Sequence, residues 1–246
     1  MNRNIPFFNM IINILFPHNC IFCDRKLSFF GNEYCCDKCR EKIFKTKESE
    51  SKCLICGRKI GGYGNNKVCT NCAKNNIHFD ASYPCFEYSE GVRNLIHKFK
   101  FRKQMFLNKY VSDYMIEAMD RAGVPEYDFL VYPPVNLSTF FERGYNQTRL
   151  VAVRIGKHYK KKVLKGAIVK TRQNPKQSLM TKGMRFINVK GVFKVKRKFR
   201  KLIKGKNILI VDDVMTTGAT ASEIAGELKK NGALSVYVAV FAVSGE

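Results

Sequence analysis

Residues 208–223 read ILIVDDVMTTGATASE. Ile208 to Val211 form a short unbroken apolar run, the make-up of a strand buried on both faces of a parallel sheet. Asp212 and Asp213 follow at the expected end of that strand. Val214 and Met215 lead into Thr216-Thr217-Gly218-Ala219-Thr220, and a helical pattern opens from Ala221. Gly218 permits a tight turn and a close approach of backbone to a ligand. The threonine hydroxyls and successive backbone N–H groups at a helix N-terminus make a cradle for a phosphate. Carboxylates one step upstream are placed to accept hydrogen bonds from sugar hydroxyls, so the segment suits a ligand carrying a 5′-phosphate and a ribose diol. The plain alternative, a strand–turn–helix capped by threonine, gives no reason for apolar run, acid pair and TTGAT to occur together and in that order.

Working outward, the pattern is α/β from Tyr83 onward. Phe86 to Tyr88 reads as a strand. Gly91 to Phe101 reads as a helix with Val92, Leu95, Ile96 and Phe99 on one face, and Phe106 to Met119 as a second helix. Tyr127 to Val135 is a buried strand closing on Pro133-Pro134. Arg143 to Lys157 is helical with Leu150, Val151 and Ile155 inward, and Val163 to Thr171 is strand-like. Residues 172–190 lack periodicity and are expected to form a mobile loop. Val192 to Val195 is a short strand. After the acid-pair strand come a helix from Thr220 to Asn231, Gly232 at its C-terminal end, and a last strand over Ser235 to Val243. Strands alternating with helices predict a parallel sheet with ligand at the strands' carboxyl ends.

Charge sets a second constraint. The 246 residues carry 44 Lys or Arg against 20 Asp or Glu, a net charge of +24. From Arg143 to Val211 there are 22 basic residues and no acid. Such a field attracts polyanions, nucleic acid first and acidic membrane second. Lys196, Arg197, Lys198, Arg200 and Lys201 are the densest run, with Phe193 and Phe199 as expected stacking faces. Solvated surface charge is the competing reading. The apolar run Ile5 to Phe16 falls short of the ~20 residues a membrane span needs, so residues 1–19 are expected to be an arm packed on the body, without stable membrane insertion.

Nine of the ten cysteines lie between residues 20 and 72. Cys20-x2-Cys23 and Cys36-x2-Cys39 form one unit; Cys53-x2-Cys56 and Cys69-x2-Cys72 repeat it at an offset of 33 residues. Two cysteines three apart chelate one side of a tetrahedral zinc, and a second such turn supplies the other. Gly57 suits the tight turn of a knuckle. About two structural zinc ions are expected in residues 20–80, as are thiols kept reduced rather than disulfides. Cys35 as a substitute for Cys36, and crossed pairing of the knuckles, stay open at this level. Cys85 reads as a buried small hydrophobe.

Taken together the chain resembles the ComF family of competence proteins. Phe16-Pro17 before Cys20, the two pairs of Cys-x2-Cys, Ile96-His97-Lys98-Phe99-Lys100-Phe101, Arg143-Gly144-Tyr145-Asn146-Gln147, the set Arg172, Gln177, Leu179, Arg185 and Asn188, and the loop Val211 to Thr220 carry the resemblance. It implies a type I phosphoribosyltransferase-like domain over 83–246 behind a double zinc ribbon, and a cytoplasmic role, including the inner face of the membrane, in handling transforming single-stranded DNA. A competence helicase is an implied partner. The segment Asp212 to Thr220 resembles the loop that binds phosphoribosyl pyrophosphate (PRPP) with magnesium; Pro134, Arg143, Arg172 and Arg185 join it as expected pyrophosphate-side residues, with Asp212, Asp213 and Arg143 as the expected catalytic groups. An active phosphoribosyltransferase acting on a base, nucleotide or amine is the alternative. The sequence ends at Glu246 just after the last expected strand, so a cover over the site is expected from residues before Tyr83.

Overall fold

The computed structural model describes residues 19–27, 35–44, 52–60, 67–172 and 184–244. The arm expected over 1–19 therefore falls outside the described residues except for Asn19, as do Gln177 and Leu179. In chain order the elements are α1 (Asp37–Phe44), α2 (Thr70–Lys74), β1 (Ala81–Glu87), α3 (Glu90–Phe101), α4 (Leu107–Ala122), β2 (Phe129–Val131), α5 (Leu137–Arg143) and α6 (Gln147–His158). There follow β3 (Lys162–Val163), β4 (Ile168–Lys170), α7 (Met184–Val189), β5 (Phe193–Val195), a 3-10 turn (Arg197–Phe199), α8 (Arg200–Ile203), β6 (Asn207–Met215), α9 (Ala219–Lys230) and β7 (Ser235–Val243).

Five strands form one all-parallel sheet in the order β1-β7-β6-β2-β3. Strand β6 sits at its centre, and successive residues point to opposite faces. Ile208 and Ile210 join one apolar cluster with Ile224, Ala225 and Leu228 of α9 and Val195 of β5. Leu209 and Val211 join the other with Leu95 and Phe99 of α3, Met115 of α4 and Val151 and Ile155 of α6. This gives a helix–sheet–helix sandwich. The cysteines divide between the faces: Cys53, Cys56, Cys69 and Cys72 lie in the first cluster, Cys20 with Ile21 and Phe22 in the second. The two cysteine units thus clasp opposite faces of the sheet.

Several expectations are corrected. Strand β6 does not stop at Val211: Asp212 pairs with Val240 and Val214 with Ala242, so β7 carries the strand through both acids to Met215. Strand β1 begins at Ala81 and ends at Glu87, before Tyr88, so the sheet starts ahead of the expected boundary at 83. The helix expected from Arg143 is two helices: α5 ends at Arg143, Gly144 turns in the left-handed region at φ 81°, and Asn146 caps α6 by accepting from Arg149 N at 3.1 Å. The strand expected over 163–171 is split, since Gly166 at φ 69° redirects the chain from β3 in the main sheet to β4, antiparallel to β5. Residues 184–189 of the expected loop are helical.

The free edge of β1 is covered. Ser82 N donates to Ile55 O at 2.8 Å. Pro84 stands two residues on, at the position whose N–H would point to the same side. Its ring packs so close to Gly57 that a Cβ there would lie 2.5 Å from Pro84 Cδ.

Candidate functional site

The two cysteine units fold alike. In each, the first cysteine's N–H donates to the carbonyl five residues on (Cys20 N to Arg25 O and Cys53 N to Arg58 O, both 2.8 Å). In each, the residue four on is left-handed: Asp24 at φ 61° and Gly57 at φ 68°. In each, a backbone N–H points at a sulfur: Cys36 N to Cys20 Sγ at 3.5 Å and Cys69 N to Cys53 Sγ at 3.3 Å. The ligand atoms of Cys20, Cys23, Cys36 and Cys39 all lie within 4.8 Å of one another, as do those of Cys53, Cys56, Cys69 and Cys72. A regular tetrahedron of zinc–sulfur bonds places sulfurs about 3.8 Å apart. Cys23 Sγ to Cys36 Sγ is 3.7 Å and Cys56 Sγ to Cys69 Sγ is 3.6 Å. Two four-thiolate zinc centres fit these donor sets. Knuckles pair within each unit, and Cys36 rather than Cys35 completes the first; the Cys35 thiol lies 3.5 Å from Cys36 O.

The expected phosphate loop sits at the carboxyl end of β6. Gly218 is left-handed at φ 81° and opens α9, and Thr217 Oγ1 accepts from Ala219 N at 3.3 Å. Three side chains from elsewhere hold the loop. Arg58, buried in the second cysteine unit, donates through Nη2 to Thr216 O. Asn71 of α2 donates to Thr217 O at 3.0 Å. Arg185 of α7 donates to Thr216 Oγ1 at 2.7 Å. The second unit therefore braces the loop through Arg58 and Asn71. Arg58 and Asn71 were not singled out in the sequence: they lie 158 and 146 residues from their partners, with no local pattern linking them.

The acid pair is half-buried and wired into a polar chain. Asp213 accepts from Lys100 Nζ at 2.8 Å on one oxygen and from Gln147 Nε2 at 2.7 Å on the other. Gln147 Oε1 in turn accepts from Arg143 Nη1 at 3.1 Å, and the Arg143 guanidinium lies 4.8 Å over the Phe101 ring. Tyr145 OH donates to Phe99 O, fixing the end of α3 that carries Lys100. The resemblance motifs at 96–101 and 143–147 thus converge on Asp213. Burial alone would raise the Asp213 carboxyl; the charge and hydrogen bond of Lys100, helped by Gln147 and Arg143, hold it below the usual carboxylate range. Asp212 accepts from Asp213 N at 2.8 Å and, among the described residues, pairs with no cation. Burial, then the neighbouring Asp213 charge, push it up to about 7.

Not every expected residue comes to the loop. Arg172 is exposed and donates to Lys190 O at 2.9 Å instead. Pro134 lies half-buried in the turn between β2 and α5, whose Pro133 O accepts from Asn146 Nδ2 at 3.1 Å. The basic run Lys196, Arg197, Lys198, Arg200 and Lys201 is exposed but precedes β6, at the sheet's amino end. The nine residues of β6, roughly 30 Å of strand, separate it from the loop. Its expected stacking faces are corrected: Phe193 is buried, and Phe199 is half-buried against the core with Lys198 over its ring. Phe193 faces inward because β5 lies on α9 and closes that side of the sandwich.

Residues 11–73 match the double zinc ribbon domain family, and residues 147–246 match the phosphoribosyl transferase domain family. The DNA utilization protein YhgH of Escherichia coli K12 is 28% identical over 156 residues, covering 62% of this chain and 67% of that protein. Competence protein F of Haemophilus influenzae is 27% identical over 162 residues, covering 61% of this chain and 67% of that protein. Among solved structures, the glutamine PRPP amidotransferase of B. subtilis complexed with ADP and GMP overlaps at a TM-score of 0.35 and 18% identity, over 60% of this chain and 27% of that enzyme's length. The chain thus joins a double zinc ribbon to a phosphoribosyl transferase domain and is similar to competence and DNA-utilization proteins.

Proposed function

We propose that the chain is a competence protein that binds PRPP or a related nucleotide, with magnesium, at the carboxyl end of β6, and that it handles single-stranded DNA. One observation carries the ligand reading: an acid pair on the central strand leads directly into a left-handed Gly218 turn at the start of a twelve-residue helix, with two guanidinium groups on the same loop. The matched phosphoribosyl transferase domain supports the ligand class. The similarity to a DNA utilization protein and a competence protein supports the DNA partner. A cytoplasmic site of action, including the inner membrane face, and a helicase partner belong to the same proposal. Among the described residues no helix is long and apolar enough to cross a membrane.

Each residue has a task in this reading. Backbone N–H groups and hydroxyls from Thr216 to Thr220 receive the 5′-phosphate. Asp212 and Asp213 accept from the ribose hydroxyls. Each Asp213 oxygen accepts one bond, from Lys100 or from Gln147, and keeps a second lone pair for a ribose hydroxyl. Arg185 and Arg143, permanently charged, face the pyrophosphate. Magnesium takes carboxylate oxygens together with ligand phosphates, a donor set that Asp212 fits, and it would neutralise pyrophosphate charge.

The test is calorimetric titration of PRPP with magnesium into the full chain and into an Asp212→Asn, Asp213→Asn double variant. Each charge-assisted hydrogen bond lost costs about 1.5–3 kcal/mol, so binding should vanish with the fold retained. Undiminished affinity would make the acids structural. The polar chain from Asp213 through Gln147 to Arg143 also suits an active phosphoribosyltransferase. Pyrophosphate release from PRPP on adding a base, nucleotide or amine would establish that reading.

A further inference from the structure

Resting on the reading that the chain binds single-stranded DNA, we propose that the bases stack on Phe106, Phe140 and Phe141, at the rim of the acid pair, and not on the basic run before β6. Helix α5 buries none of its residues. Phe141 is 80% exposed and Leu137 74%, although such large apolar groups ordinarily find cover. Phe140 and Phe141 stand edge to face with ring centres 6.4 Å apart, so they offer two differently oriented ring faces. The strip continues onto α3 and its following turn, where Phe101, Met105 and Phe106 are also exposed. Arg143 joins the two halves: it ends α5 and its guanidinium covers one face of Phe101.

Charge selects the occupant. No acid occurs from Gly91 to Ser112, and Arg93, Arg102, Lys103 and Lys109 of that stretch are exposed. Aromatic faces set among cations are the arrangement that receives bases strung on phosphates. A second copy of a chain of charge +24 is repelled from such a face. The strip also adjoins the proposed ligand site, since Lys100, one residue before Phe101, touches Asp213. A strand stacked here would present its sugar–phosphate backbone beside the acid pair. The run at 196–201 offers charge without an open ring face.

Fluorescence anisotropy with a labelled oligothymidine, at two salt concentrations, tests this in four full-length proteins. These are wild type, Phe140→Ala with Phe141→Ala, Arg102→Glu with Lys103→Glu, and a charge reversal at Lys196, Arg197, Lys198 and Arg200. Each stacked base contributes about fivefold to a hundredfold in affinity. The double alanine variant should therefore bind at least fivefold more weakly, with an unchanged salt slope. The Arg102, Lys103 reversal should flatten the slope, each lost phosphate contact removing about 0.7. The 196–201 reversal should bind more nearly like wild type. Wild-type affinity in the double alanine variant, with wild type binding DNA, overturns the platform while leaving the DNA reading intact. No binding by wild type overturns both. If the alanines change sedimentation, or binding to anionic lipid vesicles, while DNA affinity holds, the strip serves a protein or a membrane and the proposal fails.

Discussion

Replacing Arg58 by Met tests how far the second ribbon governs the phosphate loop. Met fills a similar space and removes only the guanidinium. Arg58 is 4% exposed, and its Nη2 donates to the carbonyl of Thr216, the first residue of the loop. A hydrogen bond to a charged group contributes about 1.5–3 kcal/mol. At about 2–4 °C per kcal/mol for a chain of this size, the melting temperature should fall by roughly 3–12 °C. Ligand affinity should fall too, because a loop no longer held in place must be ordered by the ligand itself. The same bond energy bounds that loss at about tenfold to a hundredfold. Zinc should stay bound, since all four cysteines remain and Arg58 keeps its backbone contacts to Cys53 and Cys56, while loss of the guanidinium charge beside Cys56 should weaken the hold on the metal. Differential scanning calorimetry, PRPP titration and elemental analysis read the three quantities separately. A variant with wild-type melting and wild-type PRPP affinity would refute the coupling. Loss of zinc alongside loss of affinity would show that the substitution acted on the knuckle rather than on the loop.

Elemental analysis of protein purified without added metal should find about two zinc ions per chain, and less than half an equivalent with free thiols would refute both centres. Cys56→Ser should lower the melting temperature of the whole chain rather than release one module, because Cys56 shares an apolar cluster with Ile210 and Ile224. Asp212 predicts opposite pH trends over one window. Its folded pKa of about 7 stands above its ordinary value of 3.8, so its contribution to stability is present below pH 3.8 and is lost as pH rises through 7. PRPP–magnesium affinity, which needs the carboxylate, should rise through that same interval; flat titrations would refute the assignment. Tyr145→Phe removes the hydroxyl bond to Phe99 O and should cost about 1 kcal/mol of stability, with a further loss of PRPP affinity as Lys100 loses its anchor.

The parts of this fold written in local pattern were legible. The cysteine register located both metal centres, and the apolar face of α3 was read residue by residue. Strand β7 was predicted with its observed ends, Ser235 and Val243. What was misread depended on distant residues. Aspartates are poor strand formers, yet β7 pairing extends β6 through two of them. Helix α5 escaped notice because its phenylalanines face solvent, leaving no buried stripe for periodicity to detect. Asp24 occupies the left-handed turn that Gly57 occupies in the repeat. Aspartate tolerates that turn because its side chain is short and polar, and its carboxylate accepts from Lys98 Nζ at 2.6 Å, a contact across 74 residues.

Strand β1 is one margin of the sheet, and an open margin recruits any extended chain that drifts past it. Here the second knuckle lies along that margin, accepting the Ser82 N–H through Ile55 O, and Pro84 has no N–H to offer beyond it. At the opposite margin, β3 is only two residues long. Guarding the first margin is thus a task delegated to a metal. Chelation should make the chain self-associate by strand addition through β1 before its helices melt, and light scattering should rise while helical circular dichroism still holds.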